Sequence, residues 1–162
     1  MRVAVAFLAL VLTTAVAQAA DPIYLDQLIE TPADTLEAQF GKMKREGCFQ
    51  IGADRFLFLT MDKKDRKPWR VVLSSIEPCK KPVPVAEMDI RERNGVNIGD
   101  TTPVVISRLG RPDAAAAPDI SLKKLGETEY FYICRVEAGC ARHTSVFIRD
   151  GIVTAISEWY SE

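Results

Sequence analysis

Cysteine is the residue type in this sequence whose number and spacing most directly suggest chemistry. The four cysteines are Cys48, Cys79, Cys134 and Cys140. No Cys-x-x-Cys pair occurs among them and the sequence has one histidine, His143, so the ligand spacing of a zinc site is missing. An even number of cysteines is typical of disulfide-bonded proteins in oxidising compartments. We therefore expect two disulfides and no metal, and the residues alone leave all three pairings open.

Hydrolysis is a second chemistry to consider, and it needs a base or a pair of carboxylates. His143 is the candidate base, but a Gly-x-Ser-x-Gly turn for a serine nucleophile is absent. Glu127 and Glu129 fall on one face of a predicted strand, as do Glu87 and Asp89, and alternating acids are also typical of solvated strand faces. A glycine-rich phosphate loop is absent as well. We expect no cofactor, and a small glycan- or peptide-directed hydrolase is the second hypothesis for function.

The first 19 residues are typical of an export signal. Met1-Arg2 is a short basic segment, residues 3–12 are apolar, and Ala17-Gln18-Ala19 matches a cleavage site. No cysteine stands at the lipobox position beside this site, so no lipid anchor is expected. No other window approaches about 18 apolar residues, so no membrane span is expected. These features predict a soluble protein that is periplasmic or secreted.

The charge balance indicates the class of partner. The sequence has 21 Lys and Arg residues against 22 Asp and Glu residues, a formal net charge of −1. A nucleic-acid-binding domain usually carries a basic excess that neutralises phosphates. We therefore expect a protein partner and no nucleic acid.

Two helices are predicted from their boundary residues. The first starts at Thr31-Pro32, continues along an apolar stripe from Ala33 to Met43, and is expected to stop at Gly47. The second starts within Asp100-Thr101-Thr102-Pro103 and ends at Gly110, followed by Pro112. These helices must position the strands that follow each of them.

Three strands are expected after each helix. They are residues 55–61, 69–76 and 85–93, then 127–135, 144–149 and 152–160. Asp150-Gly151 predicts a tight hairpin between the last two, whereas residues 114–118 are expected to be a flexible loop. The order predicts an α+β fold with helices packed on one face of an antiparallel sheet, with residues 20–95 and 96–162 as two units that a tandem duplication would explain.

The predicted hairpins favour one pairing of the cysteines. Cys48 precedes the first hairpin and Cys79 follows it, so antiparallel strands would bring them together. Cys134 and Cys140 flank the turn end of another hairpin. The favoured disulfides are therefore Cys48–Cys79 and Cys134–Cys140.

The segment Gly99-Asp100-Thr101-Thr102-Pro103-Val104-Val105-Ile106-Ser107-Arg108-Leu109-Gly110-Arg111-Pro112 resembles the helix signature of the SmpA/OmlA small outer-membrane lipoproteins, the BamE-like group. The closing segment 146–153 is similar to the final hairpin of that group. A tandem version of the unit resembles the fold of the secreted β-lactamase inhibitor proteins, in which a concave sheet face and a hairpin loop hold the partner. The resemblance implies a fold and a binding role but assigns no functional residues, because this sequence lacks the lipobox and follows neither cysteine pattern.

Binding is the leading hypothesis because the predicted strands are apolar on both faces. Helices on one side cover one face, so the other is either covered by long loops such as residues 110–126 or exposed to a protein partner. Tyrosine tolerates water at its hydroxyl, which favours the Tyr130 and Tyr132 side as the exposed one. The candidate partner-binding residues are Trp69, Tyr130, Tyr132, Arg135, Glu137, Arg142 and Trp159. We expect an exported protein-binding module, either a hydrolase inhibitor or an accessory of envelope assembly. This interpretation favours a protein that is not an enzyme.

Overall fold

The computed structural model describes residues 21–133 and 142–160, and within them the chain forms three short helices and ten strands. The helices are α1 (Leu25–Glu30), α2 (Ala33–Phe40) and α3 (Thr102–Leu109). The strands are β1 (Ile23–Tyr24), β2 (Glu46–Gly52), β3 (Arg55–Met61), β4 (Pro68–Ser74), β5 (Val83–Pro84), β6 (Ile90–Arg91), β7 (Ala114–Ala116), β8 (Thr128–Ile133), β9 (Arg142–Arg149) and β10 (Ile152–Tyr160).

The predicted α+β class is wrong, because the described chain is mostly β. Eight strands form one sheet, β1 and β6 form a second parallel pair, and the helices are only six, eight and eight residues long. The large sheet is mixed rather than antiparallel, since the short edge strand β5 runs parallel to β2. The prediction overestimated the helices because their start signals are strong while each one stops after about two turns.

Two meanders meet at the centre of the large sheet. Its strand order is β5-β2-β3-β4-β10-β9-β8-β7, so β2–β4 and β8–β10 are each consecutive antiparallel neighbours. The two sets join where β4 pairs with β10, for example Leu73 opposite Ile156. The division into units 20–95 and 96–162 stays a prediction.

Both predicted helix starts are present, but one predicted end is wrong. α2 begins at Ala33, and α3 carries Pro103 in its first turn. α3 ends before Gly110, whose φ of 79° suits glycine. α2 ends before Gly41, at φ 92°, whereas the expected stop Gly47 lies inside β2.

The strand predictions are confirmed in part. Asp150 and Gly151, with φ of 51° and 76°, form the turn between β9 and β10 as expected. Of the predicted strand 85–93, only β6 is a strand, and it pairs with β1 outside the large sheet. The expected flexible loop 114–118 instead contains β7, an edge strand on β8.

The Cys48–Cys79 disulfide is confirmed. The two cysteines are 31 residues apart in sequence, and the loop that the disulfide closes contains the β3–β4 hairpin, as predicted. Cys134 and Cys140 lie outside the described residues, as does the predicted export signal. In the part of the chain that the structure describes, no helix is both long and apolar enough to cross a membrane.

Candidate functional site

The two faces of the large sheet have different surroundings. On one face, Phe49, Leu57, Leu73, Ile156 and Val146 align across five strands and are buried. Apolar side chains from α1, α2 and α3 belong to the same core. We call this the helix-side face, and burial of its aliphatic residues is the main apolar contribution to folding.

No helix of residues 21–133 and 142–160 lies on the opposite face. Phe58, Val72, Ser157, Ser145 and Phe131 align across it from β3 to β8. Within the described residues, its small core contains no helical side chain and is completed by Leu122 and Leu125 from the loop before β8. We call this the open face, since that loop covers only part of it.

An aromatic group lies on the uncovered part of the open face. The rings of Phe131, His143 and Trp159 contact one another. The ring centre of Phe131 lies 5.2 Å from that of His143 and 5.7 Å from that of Trp159, and the His143 and Trp159 centres are 4.5 Å apart. The Trp159 indole Nε1 donates a hydrogen bond to the Ser145 hydroxyl at 3.2 Å, which fixes the orientation of the ring. All three rings are half-buried, so one side of the group remains accessible.

Arg70 joins this group through an irregularity in β4. Thr60 pairs with Arg70 while the next residue, Met61, pairs with Pro68, so Trp69 is the extra residue of a β-bulge. Bulges redirect side chains, and here the Arg70 guanidinium carbon lies 4.6 Å from the ring centre of Trp69 and 5.3 Å from that of Trp159. Cation–π contacts of this kind are worth about 0.5–2 kcal/mol each. We call Trp69, Arg70, Phe131, His143 and Trp159 the Trp–Arg cluster.

A cleft of about 1220 Å³ adjoins the cluster at the β3–β4 turn. Trp69 and Trp159 belong to both the cluster and the cleft wall. Tyr160 and Pro68 add apolar wall, and the charged lining residues are Glu30, Arg45, Asp62, Lys63, Lys64, Asp65 and Lys67. Ile29 of α1 and Met61, which belong to the helix-side core, line the cleft as well, so it lies at the end of the sheet and meets the open face at the two tryptophans.

The turn that borders the cleft is held in place by specific contacts. The Asp62 carboxylate accepts hydrogen bonds from the backbone N–H groups of Lys64 and Asp65 at 2.6 and 2.9 Å, which lowers the pKa of Asp62. Arg66 pairs with Glu37 of α2 at 3.3 Å, and its carbonyl accepts the Ala33 N–H at 2.8 Å. Such a fixed turn reduces the ordering cost of binding.

A second polar group lies on the helix-side face, in a pocket of about 320 Å³. Glu158 of β10 is buried, and burial raises the pKa of its carboxyl to about 7, although a 2.8 Å hydrogen bond from the Thr144 hydroxyl opposes the shift. Glu92 is also buried and accepts a hydrogen bond from the Val96 N–H. Asp26 lies beside them and accepts a hydrogen bond from Arg93 at 2.6 Å.

The predicted binding residues fall into different places. Trp69 and Trp159 lie in the Trp–Arg cluster. Arg142 faces the helix side, 3.5 Å from Asp26. Arg135 and Glu137 lie outside the described residues.

The expectation that Tyr130 and Tyr132 form the exposed face is wrong. Tyr132 is 7% exposed and belongs to the helix-side core, and Tyr130 packs against that core. Burial raises the pKa of the Tyr132 hydroxyl to about 12. The strand places Phe131 on the open face instead, because neighbouring residues alternate.

Sequence reasoning missed Arg70, and it placed Phe131 on the wrong face. Arg70 pairs with Thr60 and with Trp159, which places it on the open face of the sheet. The β-bulge that produces this register cannot be recognised from the amino-acid composition of β4. His143 was considered as a catalytic base, and the structure places its ring against Trp159 rather than in a pocket with a pair of acids. Within residues 21–133 and 142–160 no group of three or more His, Cys, Asp or Glu side chains is arranged to hold a metal ion.

Comparison of the chain with protein-family models, with curated proteins and with solved structures found no significant match.

Proposed function

We propose that this chain is an exported protein-binding module that holds a protein partner on the Trp–Arg cluster and the adjoining cleft. The observation that carries the proposal is the difference between the two sheet faces. Helices bury one face, whereas the other presents half-buried aromatic rings around an arginine. Trp, Tyr and Arg are the residue types that most often dominate binding energy at protein interfaces.

Export supports the same proposal. The Cys48–Cys79 disulfide fits a protein of the periplasm or the extracellular space, and the N-terminal sequence has the pattern of an export signal. A periplasmic or secreted location would expose the open face to envelope proteins and extracellular enzymes. The resemblance of residues 99–112 to the BamE-like signature favours envelope assembly, and the sheet-face binding mode favours hydrolase inhibition.

The proposal is tested by photo-crosslinking in the organism that makes the protein. A photoreactive phenylalanine replaces Phe131 on the open face, and the matched control carries it at Ile106, an α3 residue that is 39% exposed. We expect a cross-linked product of defined mass from position 131, none from position 106, and loss of the product when Trp159→Ala is added. Equal cross-linking from both positions, or none from position 131, would overturn the proposal.

A second candidate function, a glycan-directed hydrolase, is favoured by one observation. Glu158 has a raised pKa and lines a pocket together with a second buried carboxylate, Glu92. Glycoside hydrolases use an acid of raised pKa beside another carboxylate. Release of reducing ends from a glycan panel, abolished by Glu158→Gln, would support this function, and identical turnover by the variant would exclude these residues as its site.

A further inference from the structure

We propose that Arg70 receives a carboxylate of the partner, and that the partner presents an acidic peptide segment to the Trp–Arg cluster and the cleft. The inference rests on the proposed function and names the chemistry of its ligand. It follows from the incomplete set of contacts around Arg70, from the positions of Trp69 and Trp159, and from the lysines that line the cleft.

Arg70 lacks hydrogen-bond acceptors in the part of the chain that the structure describes. Among the described residues its guanidinium has no hydrogen bond and no ion pair, and its Nε is buried without a partner. A guanidinium has five N–H donors and no means of losing its charge in proteins. The buried Nε is out of reach of a partner, so a carboxylate would bind the terminal N–H groups, which also have no acceptor among the described residues, and would gain a charge-assisted hydrogen bond there.

The aromatic neighbours fix the position of the Arg70 side chain but do not accept hydrogen bonds from its N–H groups. Contact with the rings of Trp69 and Trp159 attracts the positive charge, yet a ring face supplies no oxygen to the N–H groups. Glu129 and Asp119 attract Arg70 from a distance, but neither is within ion-pair range of it. A carboxylate matches the planar geometry of the guanidinium and can accept two hydrogen bonds from it.

The cleft explains why the ligand is a segment rather than a single small anion. Lys63, Lys64 and Lys67 line it, are exposed, and form no ion pair within the described part of the chain. Together with Arg45 these cations outnumber the lining acids Glu30, Asp62 and Asp65 by one. A volume of about 1220 Å³ exceeds the range of typical small-molecule sites, about 300–1000 Å³. A peptide with several acidic side chains would place one on Arg70 and others toward the lysines.

The first experiment uses the two tryptophans of the chain, which both lie in the cluster, so the tryptophan emission reports on this site alone. Quenching by iodide is compared with quenching by caesium at constant ionic strength. We expect the iodide-to-caesium quenching ratio to be higher for the protein than for free N-acetyltryptophanamide, because anions concentrate near Arg70. Arg70→Gln should reduce the iodide-to-caesium ratio by about twofold or more.

Two controls accompany the quenching experiment. Arg91→Gln removes the same charge from β6, outside the large sheet, and should leave the ratio unchanged. Quenching by neutral acrylamide should be equal in all three proteins, which shows that the exposure of the rings is the same. An iodide-to-caesium ratio that Arg70→Gln leaves unchanged would overturn the inference.

The second experiment selects ligands from a phage library of random dodecapeptides on the purified, oxidised protein. We expect the selected peptides to be rich in Asp and Glu and to bind Arg70→Gln about tenfold or more weakly. Arg70→Lys should also bind them more weakly, since lysine lacks the planar pair of donors. Arg91→Gln should bind them as the unchanged protein does.

The other outcomes separate the inference from the proposed function. Peptides without acidic residues that still lose binding on Trp159→Ala would overturn the acidic ligand and keep the open face as the binding site. Peptides that bind equally well to Trp159→Ala and Arg70→Gln, or a selection that yields none above background, would overturn both.

Discussion

Glu158 is a buried carboxyl whose ionisation affects the stability of this protein. Burial raises its pKa from 4.5 to about 7 in the folded state. Between these values the folded protein binds a proton that the unfolded chain has released. Stability therefore falls as pH rises from about 4.5 to 7, by up to about 3 kcal/mol. Arg142 opposes the shift, whereas Glu92 and Asp26, which face the same pocket, add to it.

Glu158→Gln is expected to remove this loss of stability. Glutamine keeps the shape and can still accept the hydrogen bond from Thr144, but it has no charge to bury. The free energy of unfolding of the variant relative to the unchanged protein should increase by about 1–3 kcal/mol between pH 4.5 and pH 8. Urea unfolding at both pH values measures it, with the exposed Glu46→Gln as control. A difference that does not change with pH would contradict the burial of this charge.

Residue type alone was enough to single out Trp69 and Trp159, and it was not enough for Arg70. An arginine beside a tryptophan in a strand predicts opposite faces, because neighbours alternate. The bulge at Trp69 overrides that rule and brings the two side chains into contact. A bulge depends on the register of the partner strand, so it could not be predicted from β4 itself.

At the scale of elements, the loop before β8 sets how much of the open face stays accessible. Leu122 and Leu125 of this loop pack on Val72, Phe147 and Ala155. Gly126 lets the chain pass directly over β9, since a Cβ there would lie 2.9 Å from the Ile148 nitrogen and 3.0 Å from the Phe147 Cβ. The loop is therefore held by a contact that only glycine permits.

Gly126→Ala is expected to destabilise the protein by about 1–3 kcal/mol, because backbone atoms must move to admit the methyl group. Gly52→Ala is the matched control, since its Cβ would meet nothing closer than 3.5 Å. That substitution should stay within about 0.5 kcal/mol. Thermal unfolding of both variants measures the difference, and equal stabilities would mean that the loop does not lie against β9.

The Cys48–Cys79 disulfide joins β2 to the chain that follows β4. Cys48 pairs across the sheet with Phe58, so the disulfide also borders the open face. Replacing both cysteines by alanine should lower the free energy of unfolding by about 3–4 kcal/mol, the loop-entropy value for 31 residues. Urea unfolding without reductant tests this, and a loss below about 1 kcal/mol would indicate that the loop is already constrained in the unfolded chain.

Element prediction succeeded where a turn or helix end requires particular residues. Asp150-Gly151 and Pro103 are such positions, and both are confirmed. It failed where both faces of a strand are apolar, as in residues 130–133. The pattern there cannot tell which side the helices cover, and so Tyr132 was expected outside when it is buried.

At the scale of the whole molecule, the positions of five strands of the large sheet, β3, β4, β8, β9 and β10, were predicted although the class was not. Two runs of three strands were expected. The second matches β8–β10, whereas the first missed β2 and counted residues 85–93, whose only strand, β6, lies outside the large sheet. The structure joins the two observed meanders edge to edge through β4 and β10. Helix length, which decides between a mostly-β and an α+β fold, depends on tertiary packing more than on start signals. The class was therefore wrong although most strands were identified.

If the open face is the functional surface, substitutions on it must weaken the affinity for the partner that is captured through position 131. Calorimetric titration of that partner should give a Kd about tenfold or more weaker for Trp159→Ala than for the unchanged protein. Ile106→Ala, on the helix side, should bind as the unchanged protein does, and thermal unfolding should show that both variants are folded. Equal Kd values for all three proteins would contradict the account.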